Sequence, residues 1–140
     1  MKKNILMKHL ENDIYCRIGI SKIDKNGVGV IAIKNIPEGI NPFNTLSKCK
    51  EDIIILNKKD LHKVDKNVKK LIKDFFGIRE YYIISKSPND MNISYYMNHS
   101  DNPNIEIISD NNKYIITTKR FIKIGEELTV NYGELYNNIK

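Results

Sequence analysis

The polar side chains best suited to chemistry crowd into one short segment. Residues 95–104 read YYMNHSDNPN, with Asn98, His99, Ser100 and Asp101 between an aromatic run and the apolar segment IEII. If these side chains are buried, each of their donors and acceptors needs a partner. The segment therefore either satisfies its own local backbone or binds a ligand with an amide-and-amine edge, such as adenine.

Two common chemistries fit this segment poorly. His99, Ser100 and Asp101 have the residue types of a hydrolase triad, but consecutive residues are expected to direct their side chains apart, so a nucleophile and its base would not align. His9, His62 and His99 do not recur at metal-ligand spacings such as i, i+4. We therefore expect neither a hydrolase nor a metal site.

Two other segments carry candidate residues. GVG at 27–29 allows close approach of the backbone to a ligand, although the same pattern is common in a plain hairpin turn and lacks the third glycine of a dinucleotide site. GEELTVNYG at 125–133 places Glu126 and Glu127 at an expected turn and solvated strand end. Tyr132 is either a core tyrosine or a phenol that faces a pocket.

The elements that must position these segments are mostly short strands. Residues 14–33 predict a hairpin around the KNG turn, and 51–56 and 80–84 predict further strands. Between them an amphipathic helix is indicated by apolar residues at spacings of three and four, Leu61, Val64, Val68, Leu71, Ile72 and Phe75. Asn57 or Asp60 is expected to cap this helix and Gly77 to end it.

The rest of the chain continues this pattern. Residues 90–98 are ambiguous and predict one or two helical turns. NIEIIS and KYIITT predict a hairpin joined by DNN, and a turn at Gly125 precedes the last strand. The fold class is therefore mostly β with one main helix.

Length and composition point to one globular domain over residues 1–140. Hydrophobic residues make up 41% and charged residues 29%, and no apolar run has the length of a membrane span or an export signal. Cys16 and Cys49 lie far apart without a CxxC pattern, which favours an intracellular, reducing compartment, nucleus or cytoplasm. We expect no membrane association.

The formal net charge of +6 is almost entirely lysine, because Arg17, Arg79 and Arg120 are the only arginines. Arginine is the main residue of phosphate and base recognition. The charge is thus interpreted as a solvated lysine surface, and attraction of an acidic partner stays open.

Taken in order, the three segments GVGVIAIKNIPEG, MNHSDNPNIEI and IKIGEELTVNYG resemble the SET-domain protein-lysine methyltransferases. The resemblance covers about residues 14–133, with a variable insert at about 41–79. It implies a β-clip-like fold of small antiparallel sheets in which the C-terminal segment forms a pseudoknot with the NHS segment.

The same resemblance implies transfer of a methyl group from S-adenosyl-L-methionine to a lysine side chain of a protein, a histone tail or another substrate, without a metal. It places the backbone of Gly27, Val28 and Gly29 and the residues Asn98 and His99 at the methyl donor. Tyr132 becomes the active-site tyrosine, beside both donor and amine. The substrate channel is assigned to Tyr82, Tyr95, Tyr96, Val130 and Tyr136, each of which could equally pack in the core.

Several positions depart from the family pattern. Asp101 replaces a cysteine after NHS, Asn131 replaces the aspartate before the tyrosine, and Tyr95-Tyr96 replaces Arg-Phe. The tail ELYNNIK lacks the cysteine-rich zinc segment that closes the lysine channel in many members, so Tyr136 or a second subunit would have to supply that wall. The protein is expected to be a monomer or a homodimer.

Two alternatives to catalysis stay open. Asn131 and the missing tail segment favour a non-catalytic SET-like binding module. The net charge and the eight tyrosines would suit a basic nucleic-acid-binding domain, which we rank lower because scattered lysines usually form only a solvated surface.

Overall fold

The structure is a computed structural model that describes residues 3–46, 54–78, 80–84, 87–110 and 113–137. Its strands, in chain order, are β1 (Cys16–Ile20), β2 (Val28–Ala32), β3 (Ile54–Asn57), β4 (Gly77–Ile78), β5 (Tyr81–Ile84), β6 (Asn98–His99), β7 (Ile105–Asp110), β8 (Lys113–Thr118) and β9 (Glu127–Val130). Its α-helices are α1 (Lys3–Asn12), α2 (Lys66–Phe76) and α3 (Tyr132–Asn137).

The main sheet has the order β1-β2-β9-β6 and joins distant parts of the chain. β1 and β2 form the predicted hairpin, with Ile20 opposite Val28 and Cys16 opposite Ala32. β2 pairs with β9 in antiparallel register, whereas β6 pairs with β9 in parallel, with Asn98 opposite Thr129. The sheet therefore brings all three motif segments together around β9.

Two smaller sheets complete the β structure. β3, β5 and β4 form an antiparallel sheet in that order, and β7 and β8 form the expected hairpin. Two short 3-10 helices precede β6, at Pro88–Asp90 and Ile93–Tyr96, and the second lies within the segment 90–98 for which one or two helical turns were predicted. The predicted class, mostly β in small and largely antiparallel sheets, is confirmed.

The main helix begins later than the apolar spacing predicts. α2 begins at Lys66 because Asp65 caps it, accepting hydrogen bonds from the backbone N–H groups of Asn67 and Val68. The prediction that Asn57 or Asp60 caps the helix is wrong. Those two residues instead bond each other's backbone N–H groups in a turn, at 3.1 and 2.8 Å. Gly77 ends the helix as predicted, in an extended conformation that leads into β4.

The apolar residues form two clusters. The larger lies on the main sheet and contains Val30, Ile36, Ile105, Ile122 and Leu128 with no exposed surface. Cys16 belongs to it, and burial raises the pKa of its thiol to about 11. The smaller cluster joins Leu61, Ile72, Phe76 and Ile84, so the insert at 41–79 contributes a core of its own. Cys49 lies outside the described residues.

Two helices were not foreseen. α1 buries none of its residues, whereas α3 begins at Tyr132 and lies beside β4. None of the helices in the described part of the chain is long and apolar enough to cross a membrane. The parallel pairing of β6 with β9 agrees with a C-terminal pseudoknot, whose threading stays a prediction.

The capping role of Asp65 can be tested by substitution. Asp65→Ala leaves the first N–H groups of α2 without their acceptor and should lower the free energy of unfolding by about 1 kcal/mol. Asp65→Asn keeps a side-chain acceptor and should cost much less. Urea denaturation of both variants measures the difference, and equal losses in the two variants would contradict a capping role.

Candidate active site

β9 is the strand on which the site is built. On one side it pairs with β2, and on the other with β6, where the Ser100 N–H also donates to the Val130 carbonyl at 3.1 Å. The buried side chain of Asn104 pairs with β9 like a short strand. Its Nδ2 donates to the Glu127 carbonyl and its Oδ1 accepts from the Thr129 N–H, both at 2.9 Å.

The side chain of Glu127 is buried at the centre of a polar network. Its carboxylate accepts hydrogen bonds from the Ser21 hydroxyl at 3.0 Å and from the Lys22 N–H at 2.7 Å. The carboxamide Nδ2 of Asn98 lies 3.2 Å from the same carboxylate. A buried carboxylate needs such donors to offset the loss of hydration. The prediction that Glu127 is a solvated strand end is therefore wrong, although Glu126 is partly exposed and pairs with Arg120.

Ser21 connects this network to the loop before GVG. Its hydroxyl oxygen accepts from the backbone N–H groups of Ile23 and Asp24, at 3.0 and 2.9 Å, while its hydrogen points to Glu127. The same loop closes at Gly27, whose carbonyl accepts from the Ser21 N–H at 3.1 Å. One hydroxyl thus fixes the shape of the loop and ties it to β9.

The two glycines of GVG have different surroundings. A methyl group at Gly29 would lie 2.8 Å from the carboxylate carbon of Glu127, inside the buried network. At Gly27 a methyl group would meet only the exposed side chain of Asp24. Gly29 is therefore required by packing within the protein, which is a structural role that its assignment to the donor site did not foresee. Val28, between them, is half-exposed.

The orientation of the Asn98 carboxamide is determined by its neighbours. Nδ2 lies 3.0 Å from the Val28 carbonyl, 3.0 Å from the Ser21 hydroxyl oxygen and 3.2 Å from Glu127. A carbonyl and a carboxylate can only accept, so the amine end of the carboxamide must face them. Among the described residues, none donates a hydrogen bond to the opposite atom, Oδ1.

His99 joins Asp101 to the backbone of Tyr132. Its Nδ1 accepts from the Tyr132 N–H at 3.1 Å, so its Nε2 carries the hydrogen that reaches Asp101 at 2.9 Å. His99 and Asp101 are two positions apart, so their contact does not contradict the expectation that consecutive side chains diverge. A hydrolase triad is still excluded, because both ring nitrogens of His99 bond groups other than Ser100. The Ser100 hydroxyl accepts a hydrogen bond from the Asn102 N–H instead.

Tyr132 is held through its backbone N–H and through its side-chain hydroxyl. Its hydroxyl donates to the Met97 carbonyl at 2.6 Å, and its ring lies 5.3 Å from the ring of His99. The residue remains 44% exposed, and partial burial raises the pKa of its phenol. The carboxamide oxygen of Asn131 accepts from the N–H groups of Gly133 and Glu134, at 2.9 and 3.2 Å, and so caps α3.

The residues predicted to line a substrate channel occupy packing positions. Tyr82 and Tyr95 pack against the smaller cluster, with the Tyr95 ring 5.2 Å from that of Phe76. Tyr96 packs against the larger cluster, and Val130 is buried within it. The side chain of Tyr136 lies outside the described part. A channel role for these five residues stays a prediction.

Ser21, Asn104 and Glu127 were not predicted as functional residues, yet they carry most of the buried hydrogen bonds of the site. Asn104 and Glu127 stand within the second and third motifs, so their position was a usable signal. Ser21 had none, since a serine before a turn is an ordinary feature of a loop. No group of three His, Cys, Asp or Glu residues able to hold a metal occurs in the described ranges.

The arrangement of these segments around β9 defines a SET domain. A family model of the SET domain matches residues 27–133, which is most of the chain. The chain therefore belongs to the SET-domain family.

Among named proteins, the Caenorhabditis briggsae "Probable histone-lysine N-methyltransferase set-23" is 28% identical over 131 residues. The match covers 90% of this chain but 54% of that protein, so the chain spans about half the length of this curated relative.

The chain is also similar to solved structures, and the first of these supports the fold. The humanized mutant of the Chaetomium thermophilum Polycomb Repressive Complex 2 bound to the inhibitor GSK126 has a TM-score of 0.54 and 25% identity, covering 86% of this chain and 15% of that one. The methyltransferase domain of human PR domain-containing protein 2 has a TM-score of 0.49 and 23% identity, covering 83% and 75%.

The packing requirement at Gly29 leads to a stability prediction. Gly29→Ala forces the Glu127 carboxylate away from its donors and should lower the free energy of unfolding by about 2–3 kcal/mol. Gly27→Ala is the matched control, because the exposed Asp24 side chain can rotate away from the added methyl group. Thermal denaturation compares the two, and an equally small loss at both glycines would contradict the packing role of Gly29.

Proposed function

We propose that this SET domain transfers a methyl group from S-adenosyl-L-methionine to the side-chain amine of a lysine in a protein. The observation that carries the proposal is the convergence of GVG, NHS and the C-terminal tyrosine on β9, although they are separated by about a hundred residues in sequence. Family membership and the histone-lysine methyltransferase name of the curated relative support the same chemistry.

The donor site is proposed where the Asn98 carboxamide of β6 donates to the Val28 carbonyl at the start of β2. The Oδ1 of Asn98, to which none of the described residues donates, is a fixed acceptor, which suits the ammonium group of the amino-acid end of S-adenosyl-L-methionine. Val28, which is half-exposed, and Gly27, which is partly exposed, are proposed to lie against the donor, whereas Gly29 is buried. His99 is proposed to contribute its backbone, since both of its ring nitrogens already have partners.

When bound, S-adenosyl-L-methionine supplies an electrophilic methyl group, and the amine lone pair forms the new N–C bond as the C–S electron pair returns to sulfur. The amine must therefore be neutral. Deprotonating a lysine with an ordinary pKa of ~10.4 costs about 4–5 kcal/mol of free energy at pH 7. A site that excludes water and faces a positive sulfonium lowers that cost, and alignment of the reactants supplies much of the rate.

Tyr132 is proposed to orient the amine and not to act as its base. Its hydrogen is committed to the Met97 carbonyl, so the lone pairs of the phenol oxygen are what it offers to the reactants. Because burial raises its pKa, the phenol stays protonated through neutral and moderately alkaline pH. The amine proton therefore leaves to solvent before transfer.

Histones are the first substrates to test. The name of the curated relative supports them, and other lysine-bearing proteins remain part of the same proposal. Leu61, Ile72 and Phe76 of the insert form a small core together with Ile84, and we propose that the insert contacts the protein substrate.

The role of Tyr132 is testable by loss of its hydroxyl. Tyr132→Phe should lower the rate of methyl transfer to histones by roughly 10²-fold, because it removes the anchored oxygen that orients the amine. Binding of S-adenosylhomocysteine should change little. Transfer is measured with labelled S-adenosyl-L-methionine, and binding by calorimetry.

Tyr15→Phe is the control, since Tyr15 packs against the larger cluster with the Lys34 ammonium 4.4 Å from its ring centroid and has no role in the proposed site. Full activity in Tyr132→Phe would contradict the assignment. Donor binding without transfer to histones or any protein of a lysine-rich panel would favour the non-catalytic binding module. Salt-sensitive nucleic-acid affinity without donor binding would favour the third alternative.

A further inference from the structure

The buried carboxylate of Glu127 and the hydroxyl of Ser21 have no part in the proposed transfer, yet they are the most heavily bonded polar side chains of the site. Both residues are less than a tenth exposed, at 8% and 7%. They lie 106 positions apart in the chain and bond each other at 3.0 Å. Such a network needs a reason beyond local turn formation.

We propose that Ser21 and Glu127 are positioning residues that select one of the two orientations of the Asn98 carboxamide and thereby set affinity for the methyl donor. The proposal rests on the proposed function, because it assumes that the Oδ1 of Asn98 receives the donor's ammonium group. It adds two residues that do not touch the donor themselves.

A count of hydrogens explains the selection. The two hydrogens on Nδ2 of Asn98 are directed to the Val28 carbonyl and to the pair formed by the Ser21 oxygen and Glu127. A rotated carboxamide would place Oδ1 against a carbonyl and a carboxylate, neither of which can donate. Leaving these buried groups without their donor costs on the order of 1–3 kcal/mol, enough to populate one orientation almost exclusively.

The carboxylate can perform this selection because it is itself immobile. The Lys22 N–H holds it at 2.7 Å, and the Ser21 hydroxyl contacts both of its oxygens. Gly29 leaves room for the Glu127 carboxylate, because a methyl group at that position would overlap it. The orientation of the Asn98 carboxamide therefore depends on the positions of β9 and of the 21–27 loop.

Glu127→Gln tests the selection directly. A glutamine must turn its side-chain oxygen to the Lys22 N–H, so its NH₂ group faces Asn98. Because that NH₂ group can only donate, it favours the rotated carboxamide, whose Oδ1 accepts. We expect affinity for S-adenosylhomocysteine, measured by calorimetry, to fall roughly tenfold or more, as for an orientation change worth about 1.4 kcal/mol. Ser21→Ala removes one partner and should lower affinity less. Glu126→Gln and Ser87→Ala are matched controls that should bind like the wild type.

A double-mutant cycle separates positioning from a general structural role. If Ser21 and Glu127 act through Asn98, then Glu127→Gln should cause no further loss of affinity in an Asn98→Ala background. An additive loss would overturn the proposal.

The orientation of the Asn98 carboxamide can also be tested without any ligand. The side-chain NH₂ of Asn98 should give slowly exchanging NMR signals in the wild type and faster exchange in both Glu127→Gln and Ser21→Ala. If Glu127→Gln does not fold, Ser21→Ala carries the same test. Unchanged exchange overturns the proposal. Changed exchange in a protein that binds no S-adenosylhomocysteine would instead support the positioning and contradict the proposed function.

Discussion

The buried carboxylate of Glu127 is the contact on which the rest of the site depends. Three segments that are far apart in sequence supply its partners: the 21–27 loop through Ser21 and Lys22, β6 through Asn98, and β2 through the space left at Gly29. A carboxylate removed from water is tolerated only where donors surround it. The same donors that satisfy this charge therefore fix the loop, the sheet edge and the carboxamide at the proposed donor site.

β9 connects the buried Glu127 carboxylate to Tyr132 at the other end of the site. The carbonyl of Glu127 and the N–H of Thr129 are satisfied by the Asn104 side chain, so these two buried backbone groups of β9 have hydrogen-bond partners. The chain leaves β9 at Asn131, whose side chain caps α3, and the first residue of that helix is Tyr132. The tyrosine is thus positioned by the register of the strand before it and by the imidazole of His99 beside it.

Two departures from the family pattern acquire a physical meaning in this arrangement. Asn131 lacks the charge of an aspartate, but capping requires only an acceptor oxygen, which the carboxamide provides. Asp101 replaces a cysteine and reaches the Nε2 of His99, which leaves Nδ1 as the acceptor for Tyr132. Both substitutions therefore keep the hydrogen bonds that hold the tyrosine.

The sequence by itself determined the family, the succession of short strands, the β1–β2 and β7–β8 hairpins and the motif residues Asn98, His99 and Tyr132, because periodicity, turn residues and long motifs are local properties of the chain. It also placed the stop of α2 at Gly77 but not its start, since the apolar spacing runs through Leu61 and Val64 without revealing the cap at Asp65. Only the tertiary structure decided that Glu127 is buried, that Ser21 is its partner and that Gly29 must lack a side chain. These facts arise from contacts across about a hundred residues, and no local pattern in the sequence records which surfaces meet when the strands pair.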